Sequence, residues 1–494
     1  MKKIHAAFFI LFGILGGCQK ELTNINVNPN NIQHPDVNTL TSSTIVNVFW
    51  NNTNQAWTTG NGISQLMVIT QSYYQNQFGT QSLPFSNASY WNTCYANARD
   101  AATIVSTAKA AKNPGNQAVG LTLEAYAFSQ LTDGWGDIPY KQALQGTSGN
   151  YLAAYDGQQT VYTDPTVGIL AKLKTADSLL ANSNAVIGGD VLYGGNATKW
   201  RKFINALRMR FLLRISGKQD PTAAMQSVLA ENALFASASE SATLKLPTAL
   251  PWLFPSYLDR TSDFAYKTLD SLLYDFYVNT GDIDRLSLFW APTPNNAKGS
   301  PTAFTTYGGL NQINNNIASA SISQLNSSSL FATTLAPTSA YVSAPLNFSR
   351  VITYAEVQFI LAEAALKGYV PGGAAQAATY YNAGILGAYA ELGLPTADAA
   401  TYAANNALSA NPTTALSQII TQKWALNLNN SFEGWLEQRR TGIPAFDLHY
   451  NSNGGKIAVK FLYPTDEEFI NAKNYQTQMQ KLGGKDNANY RAWW

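Results

Sequence analysis

Cysteine and histidine are nearly absent: the chain has two cysteines and three histidines in 494 residues. Two cysteines cannot build a disulfide framework. Isolated histidines at His34 and His449, with His5 inside an N-terminal apolar run, leave too few parts for a zinc site or for a Ser-His or Cys-His engine. Charge is also scarce, at 13% Asp, Glu, Lys and Arg, about half the usual share. No G-x-S-x-G elbow occurs, Gly60-Asn61-Gly62-Ile63-Ser64-Gln65 misses a dinucleotide fingerprint at its last position, and neither Gly-Gly-Lys run has the upstream glycine of a phosphate loop. No apolar run is long enough to span about 30 Å of hydrocarbon.

The longest such run, Ala6 to Leu15, follows Lys2 and Lys3 and ends in Leu15-Gly16-Gly17-Cys18. Small residues before a cysteine are what lipoprotein processing requires, so residues 1–17 read as a signal peptide and Cys18 as the acylated first residue. Lys2 and Lys3 leave with the signal, so 30 bases face 30 acids. Near neutrality removes the electrostatic case for nucleic acid or an anionic lipid surface as main partner. The remaining Cys94 sits in a helical pattern and reads as a buried, inert thiol.

Residues 18–38 are rich in Asn and Pro and suit a flexible tether. The rest, 39–494, reads as one domain: a helical scaffold over 39–235 and 351–444, and a proline-interrupted, loop-rich insertion over 236–350 with at most short strands. Helical periodicity is expected around 40–78, 90–112, 116–132, 162–181 and 198–216, with breaks at Gly60-Asn61-Gly62, Asn113-Pro114-Gly115 and Gly188-Gly189. In the fifth of these helices Thr198 is the expected cap and Gly217 the left-handed stop. Trp200, Phe203, Leu207, Phe211 and Ile215 form its apolar stripe, and Lys199, Arg201, Lys202, Arg208, Arg210 and Arg214 an ion-paired face. Thr353 and Glu356 spell a capping box, with stops at Gly368 and Gly442. Helix pairs in series suggest a tetratricopeptide-like array without a clean 34-residue repeat.

Enzymatic chemistry has one opening, paired carboxylates of a glycosidase, with Asp133/Asp137, Asp282/Asp284, Glu433/Glu437 and Asp466-Glu467-Glu468 as candidates. Such pairs are ordinarily caps and salt bridges. Aromatics beside amides are more informative, because sugar rings stack on Trp and Tyr while Asn and Gln take hydroxyls. The candidate ligand-binding residues are Tyr74, Asn76 and Phe78 in one loop, and Trp252, Trp290 and Tyr307 in the insertion.

Leu131-Thr132-Asp133-Gly134-Trp135-Gly136-Asp137-Ile138-Pro139-Tyr140, then Tyr155-Asp156, Lys199-Trp200, Tyr354-Ala355-Glu356, Gln422-Lys423-Trp424, Glu433-Gly434-Trp435 and Arg439-Arg440-Thr441-Gly442, taken in order, resemble the SusD/RagB-like outer-membrane nutrient-binding lipoproteins of Bacteroidetes. The resemblance implies a mostly α fold, in which tetratricopeptide-like helix pairs form a right-handed superhelical scaffold with a loop-rich inserted region and few short strands. It also implies a lipid-anchored outer-membrane protein facing the exterior, which binds an oligosaccharide or a peptide as lid of a SusC-like TonB-dependent barrel transporter. No catalysis and no cofactor are implied. Among the matched residues, Gly134 and Gly136 are expected to permit turns, Pro139 to fix one, and Trp200, Trp424 and Trp435 to fill core. A calcium ion in an irregular oxygen cage stays open.

Overall fold

The computed structural model describes residues 36–69, 85–181, 185–247, 250–259, 261–296, 303–310, 321–327, 346–448 and 453–494. Cys18, Tyr74, Asn76 and Phe78 therefore lie outside the described residues.

The chain is mostly helical. Helix α1 (Val37–Gln55) starts where the Asp36 carboxylate accepts from the backbone N–H groups of Asn38 and Thr39, so the helix takes the last two residues of the expected tether. Helices α2 (Ala88–Ala110) and α3 (Pro114–Trp135) form an antiparallel pair around the predicted break. There Asn113 accepts from Asn116 N–H and Pro114 occupies the first helical position, where its missing N–H costs nothing. The expected 162–181 helix is split by a turn at Pro165 into α4 (Gln158–Thr163) and α5 (Ile169–Ala181). Helix α5 packs on α3 and on α6 (Ala197–Arg214), and α7 (Thr222–Ala230) follows.

Within the insertion, besides short helical turns at Pro255–Leu258 and Thr261–Ala265, proline density hid two longer helices, α8 (Ser271–Thr280) and α9 (Ile283–Phe289). Their signals were there: Asp270 accepts from Leu272 N–H, and Gly281 takes the left-handed conformation between them at φ 73°. A second scaffold group follows: the pair α10 (Tyr354–Leu366) and α11 (Gly373–Glu391), then α12 (Thr396–Asn405), α13 (Pro412–Leu426), α14 (Glu433–Thr441), α15 (Thr465–Ile470) and α16 (Ala472–Lys481). The two groups meet where α6 packs on α10. Short antiparallel strands complete the frame: β1 (Met67–Ile69) with β5 (Lys267–Leu269), β2 (Ile138–Pro139) with β3 (Tyr155–Asp156), and β4 (Ala242–Lys245) with β6 (Phe348–Ile352).

Helix α6 corrects two expectations. Asn196, not Thr198, caps it by accepting from Lys199 N–H, because the glycine turn at 194–195 already delivers the chain in helical register. Its end is a tight turn after Arg214, and Gly217 is not left-handed. The apolar stripe is buried as read, but so is nearly every other face. Arg210 reaches Glu356 at 2.6 Å and Glu433 at 3.5 Å, while Arg214 pairs with Asp133 at 2.5 Å and also with Glu433. The expected ion-paired face holds for Arg201, Lys202 and Arg208, which pair with Asp177, Glu240 and Glu231, whereas Arg210 and Arg214 form a buried network that locks α6 to α3, α10 and α14. Charges this deep are tolerated only because each finds an opposite charge and hydrogen bonds. Trp200, Trp424 and Trp435 fill core as expected, and Cys94 is buried.

Gly60-Asn61-Gly62 is not a break: α1 runs on through a π turn at Ala56–Gly60 and a further turn at Asn61–Ile63. Its glycine serves close approach, since a Cβ on Gly60 would lie 1.7 Å from the Ser431 carbonyl oxygen. Gly134 likewise lies inside α3, where a Cβ would come within 3.3 Å of the Phe461 ring; only Gly136, at φ 84°, makes the expected turn.

Candidate ligand-binding face

After its π turn the α1 segment enters β1, which pairs with β5 so that Ile69 lies opposite Lys267. Ile69, the last described residue before the segment carrying Tyr74, Asn76 and Phe78, thus lies against the insertion that carries Trp252, Trp290 and Tyr307. Lone bridges widen this ribbon: Thr268 with Gln324, Asp270 with Leu310, and Trp290 with Leu325. These main-chain contacts turn a proline-rich segment into a layer seated on the main core.

Beneath the layer, the Trp57 indole N–H donates to Asp259 at 2.9 Å, and Lys267 Nζ lies 2.7 Å from the same carboxylate and 5.0 Å from the Trp57 ring centre. Burial pushes the Asp259 carboxyl above its ordinary value, and Lys267 pulls against it. This cluster pins 250–269 to α1.

On the outer side, Trp252 and Trp50 hold the same segment to the same helix. The Trp252 indole N–H donates to Asn47 Oδ1 at 2.7 Å, and the Trp50 indole N–H donates to the Leu253 carbonyl at 2.7 Å. Both rings stay half-buried, with their polar handles already satisfied and ring surface left over. Asn47, Asn51 and Asn54 share that half-buried stripe of α1 at helical spacing. A fixed pair of indoles flanked by amides has the composition that binds hydroxylated rings.

The sequence-derived candidates fare differently. Trp252 lies on this surface, whereas Trp290 is fully buried and Tyr307 is 5% exposed, both in the core beneath the layer. Core packing of large aromatics is the common fate. Trp50 and Asn47 were missed, although Asn47, Trp50, Asn51 and Asn54 form a polar stripe with one tryptophan at helical spacing.

Four of the candidate acids are held in structural ion pairs. Asp133, Glu433 and Glu437 are buried in ion pairs, and Asp282 pairs with Arg285. Burial alone would raise Glu437, yet Arg440 and Lys423 hold its carboxyl at about 2, a fixed anion rather than a proton donor. Two open clefts, about 460 Å³ across Phe128, Tyr140 and Lys172 and about 320 Å³ across Tyr354, Leu386 and Leu394, contain none of the candidate residues. Among the described residues no helix is long and apolar enough to cross a membrane.

A family model described as starch-binding and associating with the outer membrane matches residues 29–464. The chain belongs to the SusD-like family. Solved structures agree over nearly the whole length. An outer membrane protein from Bacteroides vulgatus described as involved in nutrient binding is 25% identical, with 93% of this chain and 100% of that one covered and a TM-score of 0.78. A SusD homologue from Bacteroides fragilis is also 25% identical, covering 93% and 99% at TM-score 0.78. A chitin-binding SusD homologue from Flavobacterium johnsoniae shares the fold at 21% identity, covering 93% and 98% at TM-score 0.75. Comparison with curated proteins gave no match. SusD-like proteins are binding proteins associated with the outer membrane rather than enzymes.

Proposed function

We propose that this SusD-like protein is a lipid-anchored glycan-binding protein of the cell surface, which captures oligosaccharide and acts as lid for a SusC-like TonB-dependent barrel. The observation that carries the binding half is the face on which Trp50 and Trp252 are fixed by hydrogen bonds beside Asn47, Asn51 and Asn54. Stacking on the indoles gives orientation, and the amides select hydroxyls. Tyr74, Asn76 and Phe78, which follow β1 in sequence, are proposed to add to the site. Starch and chitin, named for the family model and for a structural relative, set the classes to try first.

The test is calorimetry of the soluble domain against a panel of starch, chitin and other oligosaccharides, with products followed by chromatography. Binding without turnover is expected, with affinity reduced about tenfold or more in Trp252→Ala and Trp50→Ala. Release of shortened products would refute a pure binding role, and glycan affinity unchanged in both variants would move the site elsewhere.

A further inference from the structure

Among the described residues the buried arginines are compensated, with one exception. Arg208 pairs with Glu231, Arg210 with Glu356, Arg214 with Asp133 and Arg285 with Asp282, while Arg439 lies over the rings of Trp435 and Trp494, 4.7 and 4.5 Å from their centres. Arg350, on β6, is 4% exposed, and among the described residues no carboxylate pairs with it. Its Nη2 donates to the Leu428 carbonyl at 2.5 Å, and its Nε is buried without a hydrogen-bond partner. The Phe348 ring centre is 6.0 Å away, at the outer limit of a cation–π contact. The segments outside the described residues hold a single acid, Glu21, so no undescribed part of the insertion carries a carboxylate for this arginine.

The acids that act on Arg350 through space are engaged elsewhere. Both Glu356 oxygens accept from Arg210, and Glu391 accepts from Ala355 N–H and Ser241 Oγ. Burial pulls Arg210, Arg285 and Arg350 alike downward; Glu356 and Asp282 outweigh it for the first two, whereas Arg350 stays below its ordinary value. A guanidinium keeps its proton in a protein, so the charge remains and needs an opposite one. A water molecule would accept from Nε but leave that charge uncompensated. Neither open cleft reaches Arg350, so the surface left to it admits a single ion rather than an organic acid. A guanidinium is weakly hydrated and loses least by pairing with an anion that is weakly hydrated too. We propose that Arg350 holds a small monovalent anion of the chloride class, which accepts from Nε beside the bond from Nη2 to Leu428. The site lies where the insertion returns to the scaffold: Arg350 stands opposite Thr243 of β4, and its carbonyl accepts from Asn52 of α1 at 2.7 Å. The anion thus stabilises the junction of β6, α1 and the turn between α13 and α14.

The experiment follows thermal unfolding of the purified protein as sodium chloride is raised, against sodium gluconate at equal ionic strength so that general screening cancels. Expected is a saturating rise in melting temperature of about 2 °C by about 150 mM chloride, absent in gluconate. The rise should also be absent in Arg350→Met, which keeps a long side chain without the charge. Wild-type crystals soaked in sodium bromide should show an anomalous peak within hydrogen-bond distance of Arg350 Nε, a readout that needs no variant to fold. Water at that position would overturn the proposal, and so would a chloride effect that persists in Arg350→Met. A bromide peak without any chloride dependence of melting, an adventitious ion only, would overturn it as well. Glycan affinity does not enter these measurements, so their failure leaves the ligand-binding reading untouched.

Discussion

Glu391, the last residue of α11, is tucked against the start of α10. One carboxylate oxygen accepts from Ala355 N–H at 3.0 Å and Ser241 Oγ at 3.2 Å, and the other has no hydrogen-bond partner. Burial pushes its carboxyl up to about 7, against the opposing pull of Ala355 N–H, Arg350 on β6, Thr353 and Ser241. Unfolded, the carboxyl ionises near 4.5. The group's stabilising contribution is therefore full below about pH 4.5 and is lost as pH rises through 7, by about 3 kcal/mol. Glu391→Gln should be the more stable form, relative to wild type, at pH 8 than at pH 5. Melting curves of both proteins at the two pH values check this, and a parallel pH dependence would contradict it. Arg214 makes the opposite case. Arg214→Leu strips Asp133 and Glu433 of a buried counterion, and denaturant unfolding should register a loss of about 3–5 kcal/mol.

Elements were legible where one signal dominated. Asn113-Pro114 marked the α2–α3 turn, Thr353 accepts from Glu356 N–H as a capping box requires, and Gly368 and Gly442 close their helices at φ 76°. The returning half of that box is not made, because Glu356 goes to Arg210 instead. Where an element's limits depend on what packs against it, sequence misled. Gly60 looks like a helix breaker, but its missing side chain makes room for the Ser431 carbonyl arriving from 371 residues away. Gly60→Ala should therefore destabilise through steric overlap by about 3 kcal/mol, although alanine favours helix more than glycine does. A thermal melt equal to or above wild type would show that the two segments part easily.

At the scale of the whole molecule, the proposed lid role turns on Cys18. Acyl chains on Cys18 would keep the folded body at the membrane, at high effective concentration near a barrel. Cys18→Ala should leave glycan affinity of the purified protein unchanged while shifting it from membrane to soluble fractions in cells. Retention in the membrane fraction would argue against the lipid anchor. The aromatic face is likewise a whole-molecule product, since Trp50 and Trp252 are 202 residues apart and share a face because each indole hydrogen-bonds to the other's segment. By itself, the sequence determined the signal-like N-terminus, the absence of catalytic parts, the mostly helical build and the family, because these rest on local patterns and on motifs in order. Only the tertiary structure decided which tryptophans are core and which are surface, where the basic helix finds its acids, and which loops share a face. Burial and ion pairing belong to contacts between distant segments, and no local pattern records them.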